Sequence, residues 1–275
     1  KDYSEIASYY RPGHADFTFD AKYGFRDYRG GGRSSGRETI ARVAAGAVAA
    51  KILEQLGITF TTYTRSIGNI LIDYNKFDKE EILRNKIYMP DADAAARAGE
   101  YIVEMTKEHD SVGGCVEAVI HGVPAGLGDT VFEKLDANLA KALMSIGAVK
   151  CIEIGDGISV SSALGSNDND GFTTDANGNI TPLTNHAGGI LGGMSDGADI
   201  ILRASFKATP SILKEQHTVT QSGKPIDVSI KGRHDPVVVP RAVVVVEAMS
   251  AITILDALLI NMSATMDGLL RFYKH

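Results

Sequence analysis

The feature that most constrains the fold of this chain is the break in apolar periodicity over residues 155–198. This segment is rich in Gly, Asn, Asp and Ser, which predicts long loops rather than helices or strands. Loops of such length are uncommon inside a compact domain and usually carry function. The periodic segments on either side must therefore form a scaffold that holds them.

The scaffold is predicted from apolar periodicity, helix propensity and caps. Residues 38–56 predict a helix, because they are rich in Ala and Gly57 follows as a cap. Asp91 predicts the N-cap of another helix, which ends near Lys107. The remaining predictions are strands at 58–63, 67–73, 116–124, 149–155 and 199–206, helices at 129–146 and 241–262, and irregular chain with one short strand at 210–231. Residues 116–155 thus predict a βαβ-like unit, and no firm domain boundary is visible.

The composition indicates a globular protein. The chain has 275 residues, of which 44% are hydrophobic, and a net charge of −6, which disfavours general nucleic-acid binding. No uninterrupted run of eighteen apolar residues predicts a membrane span, and no charged-then-apolar start predicts a signal segment. Cys115 and Cys151 lie in strand-like runs, which predicts buried, reduced thiols and a cytoplasmic protein.

A second aperiodic segment, residues 11–39, concentrates positive charge on a glycine-rich backbone. Arginine offers a planar fork of donors that matches carboxylate and phosphate oxygens, so the segment predicts a site for a ligand with several anionic groups. The loop leads into the helix that begins near Glu38, whose first N–H groups favour anions. The arginines concerned are Arg11, Arg26, Arg29, Arg33 and Arg37, with Arg42 just beyond.

Common nucleotide motifs do not account for this segment. Gly31 and Gly36 have the spacing of a phosphate-binding P-loop, but Arg37 and Glu38 stand where Lys and Ser or Thr are needed. No strand is followed by a complete G-x-G-x-x-G fingerprint. RNA binding is disfavoured because few aromatic residues interleave the arginines.

His14 is the histidine with the strongest claim to chemistry. It lies in a polar turn beside arginines, and imidazole titrates near neutral pH. His121 and His186 have weaker claims, and no HxxxH or CxxC spacing predicts a metal site.

Several motifs, taken in order, resemble those of the chorismate synthase family. They are RPGHAD, RGGGRSSGRET followed by ARVAAGAVA, TNHAGGILGGMSDG, FKATPSI, KGRHDP and VPRAVVVVEAM. The resemblance runs from about residue 11 to about residue 260. It implies an α/β (α+β) fold, a β-α-β sandwich in which helices pack on antiparallel or mixed sheets. It also implies a single family domain over residues 1–275, whose N-terminal part is not in the printed sequence.

The resemblance assigns roles to residues at matching positions. His14 is the histidine that protonates or stabilises the flavin, and Asp235 helps the flavin accept the substrate proton. Substrate binding is implied for Arg11, Ser35, Arg37 and Arg233. Cofactor binding is implied for Ser35, Gly36, Arg37, Asp196, Gly197, Lys207, Ser211 and Arg233. The chain differs from the family at Gly36, where Ala is usual, and at Asp196, where Asn is usual.

The implied reaction is the 1,4-anti elimination of phosphate from 5-enolpyruvylshikimate 3-phosphate, a step towards aromatic amino acids, with reduced FMN as cofactor. The resemblance further implies a cytoplasmic homotetramer, with flavin reduced by NADPH or by an external flavin reductase. Neither a nucleic-acid nor a membrane partner is expected. The alternative is a catalytically impaired homologue that acts as an FMN- or anion-binding module.

Overall fold

The computed structural model describes residues 5–29, 32–230 and 235–274. The helices are α1 Asp16–Tyr23, α2 Thr39–Glu54, α3 Glu81–Arg84, α4 Ala92–Lys107, α5 Leu135–Met144, α6 Gly165–Asp168, α7 Val239–Asn261 and α8 Met266–Tyr273. The strands are β1 Thr59–Ile67, β2 Ile70–Leu71, β3 Gly114–His121, β4 Val149–Ile154, β5 Phe172–Thr174, β6 Ile180–Pro182, β7 Ile190–Leu191, β8 Met194–Ser195, β9 Ile200–Phe206, β10 Gln216–Val219 and β11 Pro225–Val228.

The main sheet has five strands in the order β2-β1-β3-β9-β4. β1 pairs with β2 as an antiparallel hairpin, and three further antiparallel hairpins form from β5 and β6, β7 and β8, and β10 and β11. Helices and antiparallel hairpins together confirm the predicted α+β class. β9 lies between β3 and β4, so the two strands of the predicted βαβ-like unit are not neighbours.

The chain forms two compact units, each built from three segments. The first unit comprises residues 1–40, 64–114 and 206–240, and the second comprises 41–63, 115–205 and 241–275. The assignment of residues 1–275 to a single family domain remains a prediction. Most of the motif residues singled out above, from His14 to Asp235, fall in the first unit, whereas Asp196 and Gly197 fall in the second.

The core of the second unit combines sheet residues with two helices. Leu139 and Leu143 of α5, Leu202 of β9 and Ile254 of α7 are fully buried. α2 approaches α7 closely, because a Cβ atom at Gly46 would lie 2.3 Å from the Ala248 Cβ. Ala and Gly at this crossing allow the two helix backbones to approach.

α7 passes a length-and-composition test for membrane spans. Its most apolar eighteen-residue window has a mean hydropathy of 2.2, although Glu247 and Asp256 interrupt the apolar run. Val246 and Ile254 of this helix are buried in the core of the second unit, and the core helix of a soluble protein passes the same test.

Most of the secondary-structure predictions are confirmed closely, including α2, α4, β4, β9 and α7, and three are wrong. α2 ends before Gly57, which has φ +77°, and the Asp91 side chain caps α4 by accepting from the N–H groups of Asp93 and Ala94. β9 begins within one residue of its predicted start. In contrast, residues 129–134 are not helical, 58–73 holds one long strand and a two-residue partner, and 210–231 holds a two-stranded hairpin.

The helix predicted from residue 129 starts late because of a contact with a distant loop. The Leu135 N–H donates to the Gly193 carbonyl at 2.8 Å, which ties the start of α5 to the β7–β8 turn. The prediction that both cysteines are buried is confirmed for Cys115 and wrong for Cys151, which is exposed on β4.

Candidate functional site

The first unit brings together three motifs that are far apart in the sequence. The His14 turn contacts residues 207–211, and the segment Ser111–Gly113 contacts both that region and the segment that begins at Asp235. These contacts define the candidate site, which we call the His14 cluster: His14, Lys207 and Ser211, together with Asp235, whose segment is joined to theirs through Ser111–Gly113.

The His14 ring is held at both nitrogens. Its Nδ1 lies 2.9 Å from the Pro12 carbonyl oxygen, and its Nε2 lies 2.9 Å from the Ser211 Oγ. A carbonyl oxygen can only accept, so Nδ1 carries the proton and donates to Pro12. In the neutral ring Nε2 is then an acceptor, and the Ser211 hydroxyl donates to it.

The surroundings of His14 favour its neutral form. Burial lowers the pKa of His14 below its usual value, and the positive charges of Arg11 and Lys207 lower it further. The hydrogen bond to Pro12 and the charge of Asp16 raise the pKa, but do not outweigh those effects. His14 is therefore a neutral base at neutral pH.

Lys207 and Ser211 follow the end of β9 and flank the His14 turn. The Lys207 Nζ donates to the Gly13 carbonyl at 2.6 Å. Gly13 has φ +69°, and a Cβ atom there would lie 2.7 Å from the Pro210 Cβ. Only glycine satisfies both the left-handed conformation and this close approach without strain.

Asp235 enters the cluster through its backbone neighbours. It is half-buried, and the carbonyl of the next residue, Pro236, accepts from the Val112 N–H at 2.9 Å. In the same segment, the Ser111 hydroxyl donates to the Thr209 carbonyl at 2.6 Å. The Ser111–Gly113 segment therefore bridges the backbone of 207–211 and the backbone that follows Asp235.

Arg11 is fixed by Asp16, a residue that sequence reasoning did not place in the site. The guanidinium donates from Nε and Nη2 to the two Asp16 carboxylate oxygens, each at 2.8 Å, and the Arg11 N–H donates to Asp16 at 3.0 Å. Burial opposes ionisation of Asp16, but the hydrogen bonds from Arg11 outweigh it, so the pKa of Asp16 is lowered. The sequence signal that could have identified Asp16 is its position five residues after Arg11, within the motif RPGHAD.

The other arginines of the opening segment have different environments. Arg26 is buried, pairs with Asp20 at 2.9 Å and donates to three backbone carbonyls, so its role is structural. Arg29 and Arg33 are exposed and pair with nearby acidic residues, and Arg42 donates to Ser145 at 2.8 Å. The predicted arginine cluster is thus divided between structural and exposed side chains.

A short 3-10 helix, Gly36–Glu38, precedes α2 and has Ser35 as its N-cap. The Ser35 Oγ accepts from the Arg37 N–H at 3.3 Å, and the Arg37 side chain is exposed. Among the residues that the structure describes, no hydrogen bond joins this turn to the His14 cluster. Arg233, also predicted to bind ligand, lies outside the described residues.

Asp196 and Gly197 lie in the second unit, at the end of the β7–β8 hairpin. The Asp196 N–H donates to the Gly189 carbonyl, and its Oδ1 accepts from Ala198 at 2.9 Å. The Oδ2 atom is buried and has no hydrogen-bond partner among the described residues. A buried orphan acceptor of this kind suits a ligand N–H or O–H donor.

A buried ion pair supports the loop that begins at Gly155. Glu117 is almost fully buried and accepts from Tyr63 and Arg203, and the Arg203 Nη1 donates to the Gly155 carbonyl at 2.6 Å. Next to Gly155, the Asp156 N–H donates to the His186 carbonyl at 2.8 Å. The sheet is thereby linked to both glycine-rich loops of the second unit.

Sequence reasoning also missed a cluster of metal-binding side-chain types in this unit. Ligand atoms of Asp156, Asp168 and His186 lie within 4.8 Å of one another, and His186 is hydrogen-bonded to Asp156 at 2.8 Å. The hydrogen bond to Asp156 raises the pKa of His186. Exposed acidic groups commonly meet in this way without a metal, so the cluster carries no assignment.

Comparison with known proteins identifies the family of this chain. The family model described as chorismate synthase matches residues 1–259. The chorismate synthase of Agathobacter rectalis is 65% identical over 274 residues, which cover 100% of this chain and 74% of that protein. The chorismate synthase of Lachnoclostridium phytofermentans is 63% identical over 273 residues, 99% of this chain and 74% of that protein.

A solved structure agrees at the level of the fold. The structure titled "Crystal Structure of Chorismate Synthase" superposes with a TM-score of 0.71 at 30% identity, covering 84% of this chain and 66% of that chain. The chain thus spans about three quarters of the curated relatives and slightly less than two thirds of the solved chain. With a family match over nearly its whole length and relatives above 60% identity, this chain belongs to the chorismate synthase family, a family of lyases.

Proposed function

We propose that this chain converts 5-enolpyruvylshikimate 3-phosphate to chorismate and phosphate by a 1,4-anti elimination that requires reduced FMN. Membership of the family supports the reaction class and favours an enzyme over a binding module. The convergence of the His14 turn, residues 207–211 and the Asp235 segment in one unit is the observation that carries the proposal.

The charges of the described site suit the substrate. The substrate carries one phosphate and two carboxylates, and Arg11, Arg37 and Lys207 offer cationic donors to such groups. Arg11 is preorganised by Asp16, so its guanidinium loses little freedom when it binds an anion. Fixed cations of this kind stabilise the charge that gathers on a departing phosphate, typically by several kcal/mol.

The residues also fit the cofactor. Within the first unit, Lys207, Ser35 and the turn at Gly36–Arg37 supply donors for a flavin phosphate, and Ser211 can donate there when a protonated His14 no longer needs its hydrogen. Within the second unit, the Asp196 Oδ2 is a buried acceptor that suits an N–H or a hydroxyl of the cofactor. Gly197 is exposed, and because it has no side chain it leaves room for the cofactor to approach the backbone closely. When bound there, reduced FMN would supply electron density to the substrate and regain it, so the reaction would involve no net redox change.

Two side chains are proposed to handle protons. Neutral His14 can take up a proton at Nε2 and later release it, because Nδ1 is committed to Pro12. Asp235 is proposed to assist transfer of the substrate proton to the bound cofactor. Arg233, from the same motif, is proposed to bind both substrate and cofactor.

The test is anaerobic phosphate release from 5-enolpyruvylshikimate 3-phosphate by the protein expressed from its complete gene. We expect release with dithionite-reduced FMN and none with oxidised FMN. Asp235→Ala should abolish release, whereas Asp227→Ala should not, because Asp227 pairs with exposed His217 on the β10–β11 hairpin. Flavin binding without release by the unaltered protein would instead support the binding-module alternative.

The resemblance to the family also suggests the oligomeric state, the location and the route of flavin reduction of the whole enzyme. We propose a cytoplasmic homotetramer without nucleic-acid or membrane partners. Its flavin is reduced either by NADPH on the enzyme or by an external flavin reductase. Anaerobic NADPH oxidation by the purified enzyme with FMN would identify the first route, and its absence, with activity restored by an added flavin reductase, would identify the second.

A further inference from the structure

Ser211 is expected to bind the cofactor, but that role does not explain its contact with His14. Its hydroxyl is directed at the His14 ring, with Oγ and Nε2 2.9 Å apart. Within the same short segment, Lys207 binds the Gly13 carbonyl and Pro210 lies against Gly13. The segment 207–211 therefore packs against the His14 turn and forms two hydrogen bonds with it, in addition to any contact with a ligand.

The two hydrogen bonds of the ring are not equivalent. The Pro12 carbonyl can only accept, so it fixes the proton on Nδ1 in both charge states of His14. The Ser211 hydroxyl can donate or accept, so it can pair with Nε2 whether or not that nitrogen carries a proton. His14 can therefore change its charge without losing its partner or its orientation.

The charged groups around the ring make the neutral state the resting one. Arg11 and Lys207 are the cations that face His14, Asp16 is the facing anion, and burial adds to the effect of the cations. With a neutral ring, Ser211 must act as the donor. The orientation of the Nε2 lone pair then depends on that hydroxyl.

Resting on the proposed function, we propose that Ser211 is a positioning residue for His14: its hydroxyl holds the imidazole as the Nδ1–H tautomer, with Nε2 aimed and kept hydrogen-bonded through proton uptake and release. This role is separate from any contact between Ser211 and the cofactor phosphate. It makes the segment 207–211 a support for the catalytic histidine as well as a ligand-binding segment.

The test uses ¹⁵N NMR of histidine-labelled protein expressed from its complete gene. The His14 signals are identified by their loss in His14→Gln. In the unaltered protein we expect a protonated Nδ1 and an unprotonated, hydrogen-bonded Nε2. In Ser211→Ala the Nε2 signal should move towards that of an unbonded nitrogen, and Ser211→Thr should restore it because threonine keeps the hydroxyl.

Steady-state kinetics give a second readout. Ser211→Ala should lower kcat roughly three- to tenfold, the effect expected for one positioning hydrogen bond, with KM for the substrate unchanged. Ser211→Thr should recover most of kcat. Ser229→Ala is the matched control, because the exposed Ser229 hydroxyl donates to the Leu213 carbonyl in the same unit and should leave both readouts unchanged.

The outcomes separate this inference from the proposed function. An Nε2 signal that does not respond to Ser211→Ala would overturn the inference, even in an active lyase, as would a loss confined to FMN affinity. A response of Nε2 in a protein that releases no phosphate would uphold the positioning contact while the proposed reaction failed. If Ser211→Ala does not fold, the inference is tested with the Nε2 signal of Ser211→Thr and with the His14 tautomer of the unaltered protein. A protonated Nε2 in the resting protein would overturn the inference.

Discussion

At the residue scale, the site depends on side chains that hold other side chains. Asp16 fixes Arg11, Ser211 fixes the His14 ring and Lys207 fixes the Gly13 carbonyl. The turn of the RPGHAD motif is therefore held partly by its own Arg11–Asp16 pair and partly by residues 207–211. The arginine proposed to bind ligand and the histidine proposed as the base are both held in place before any ligand binds.

Asp16→Asn should lower the free energy of unfolding by about 1–3 kcal/mol at pH 7, because it removes charge-assisted hydrogen bonds to half-buried Arg11. The pKa of Asp16 is lowered in the folded state, so this stabilisation is present above its unfolded pKa of about 4 and is lost as the pH falls below it. Denaturant titrations at pH 7 and pH 3 should show a smaller difference at pH 3. The control, Asp27→Asn at an exposed pair, should change stability by less than about 0.5 kcal/mol.

Gly36→Ala, which restores the residue usual in the family, should be tolerated. A Cβ atom at Gly36 would meet no described atom within 4 Å, and its backbone is not left-handed. Alanine also restricts the unfolded chain, so we expect a gain of about 0.4–1 kcal/mol in the free energy of unfolding. Unchanged FMN affinity and phosphate release would accompany that gain, and a loss of either would show that glycine is needed by the ligand.

At the element scale, the crossing of α2 and α7 in the second unit is decided by one small residue. Helix propensity alone favours Ala over Gly at position 46 by about 1 kcal/mol. Tertiary packing opposes that preference, because the added Cβ would lie 2.4 Å from the Ala248 Cα, an atom of the α7 backbone.

Gly46→Ala should therefore destabilise the protein, by about 1–3 kcal/mol, since overpacking outweighs the gain in helix propensity. Gly99→Ala in α4 is the matched control, because its Cβ would only approach the Ile87 Cδ1 at an ordinary 3.8 Å. We expect the control to raise the free energy of unfolding. Thermal unfolding followed by circular dichroism would compare the two, and a more stable Gly46→Ala protein would contradict the close helix crossing.

At the scale of the whole molecule, most of the shifted acidic groups share one direction. The pKa values of Asp16, Asp91 and Asp170 are all lowered: burial opposes ionisation in each, and hydrogen bonds to the carboxylate outweigh it. The pKa of His14 is lowered as well, by burial. The unfolded chain binds more protons than the folded one at each of these sites, so acid favours unfolding.

We expect the free energy of unfolding to decrease as the pH falls, first slightly below about 6.5, where His14 takes up a proton more readily in the unfolded chain than in the folded one, then steeply below about 4. His186 acts in the opposite direction because its pKa is raised, but it lies near the surface and contributes little. Urea titrations from pH 8 to pH 3 would measure the profile. Stability that stays constant down to pH 4 and below would contradict the folded-state hydrogen bonds of these carboxylates.

The sequence by itself determined the family, the order of the motifs and the elements whose signals are local. The cap at Asp91 and the end of α2 before Gly57 depend on contacts within a few residues, so they could be predicted. The choice of His14 as a site residue rests on its polar turn beside arginines and on its motif, whereas the choice of Lys207 rests on motif resemblance alone. The structure places the Lys207 Nζ 2.6 Å from the carbonyl of Gly13, next to His14.

Only the tertiary structure decided how those residues are used. The late start of α5 follows from a hydrogen bond to the distant Gly193, and the pairing of Ser211 with His14 joins positions 197 residues apart. The division of the arginines into a buried Arg26 and an exposed Arg37 likewise depends on the carbonyls and carboxylates that the fold brings near each one. Contacts across such separations are set by packing of the whole chain, and no local pattern of residues encodes them.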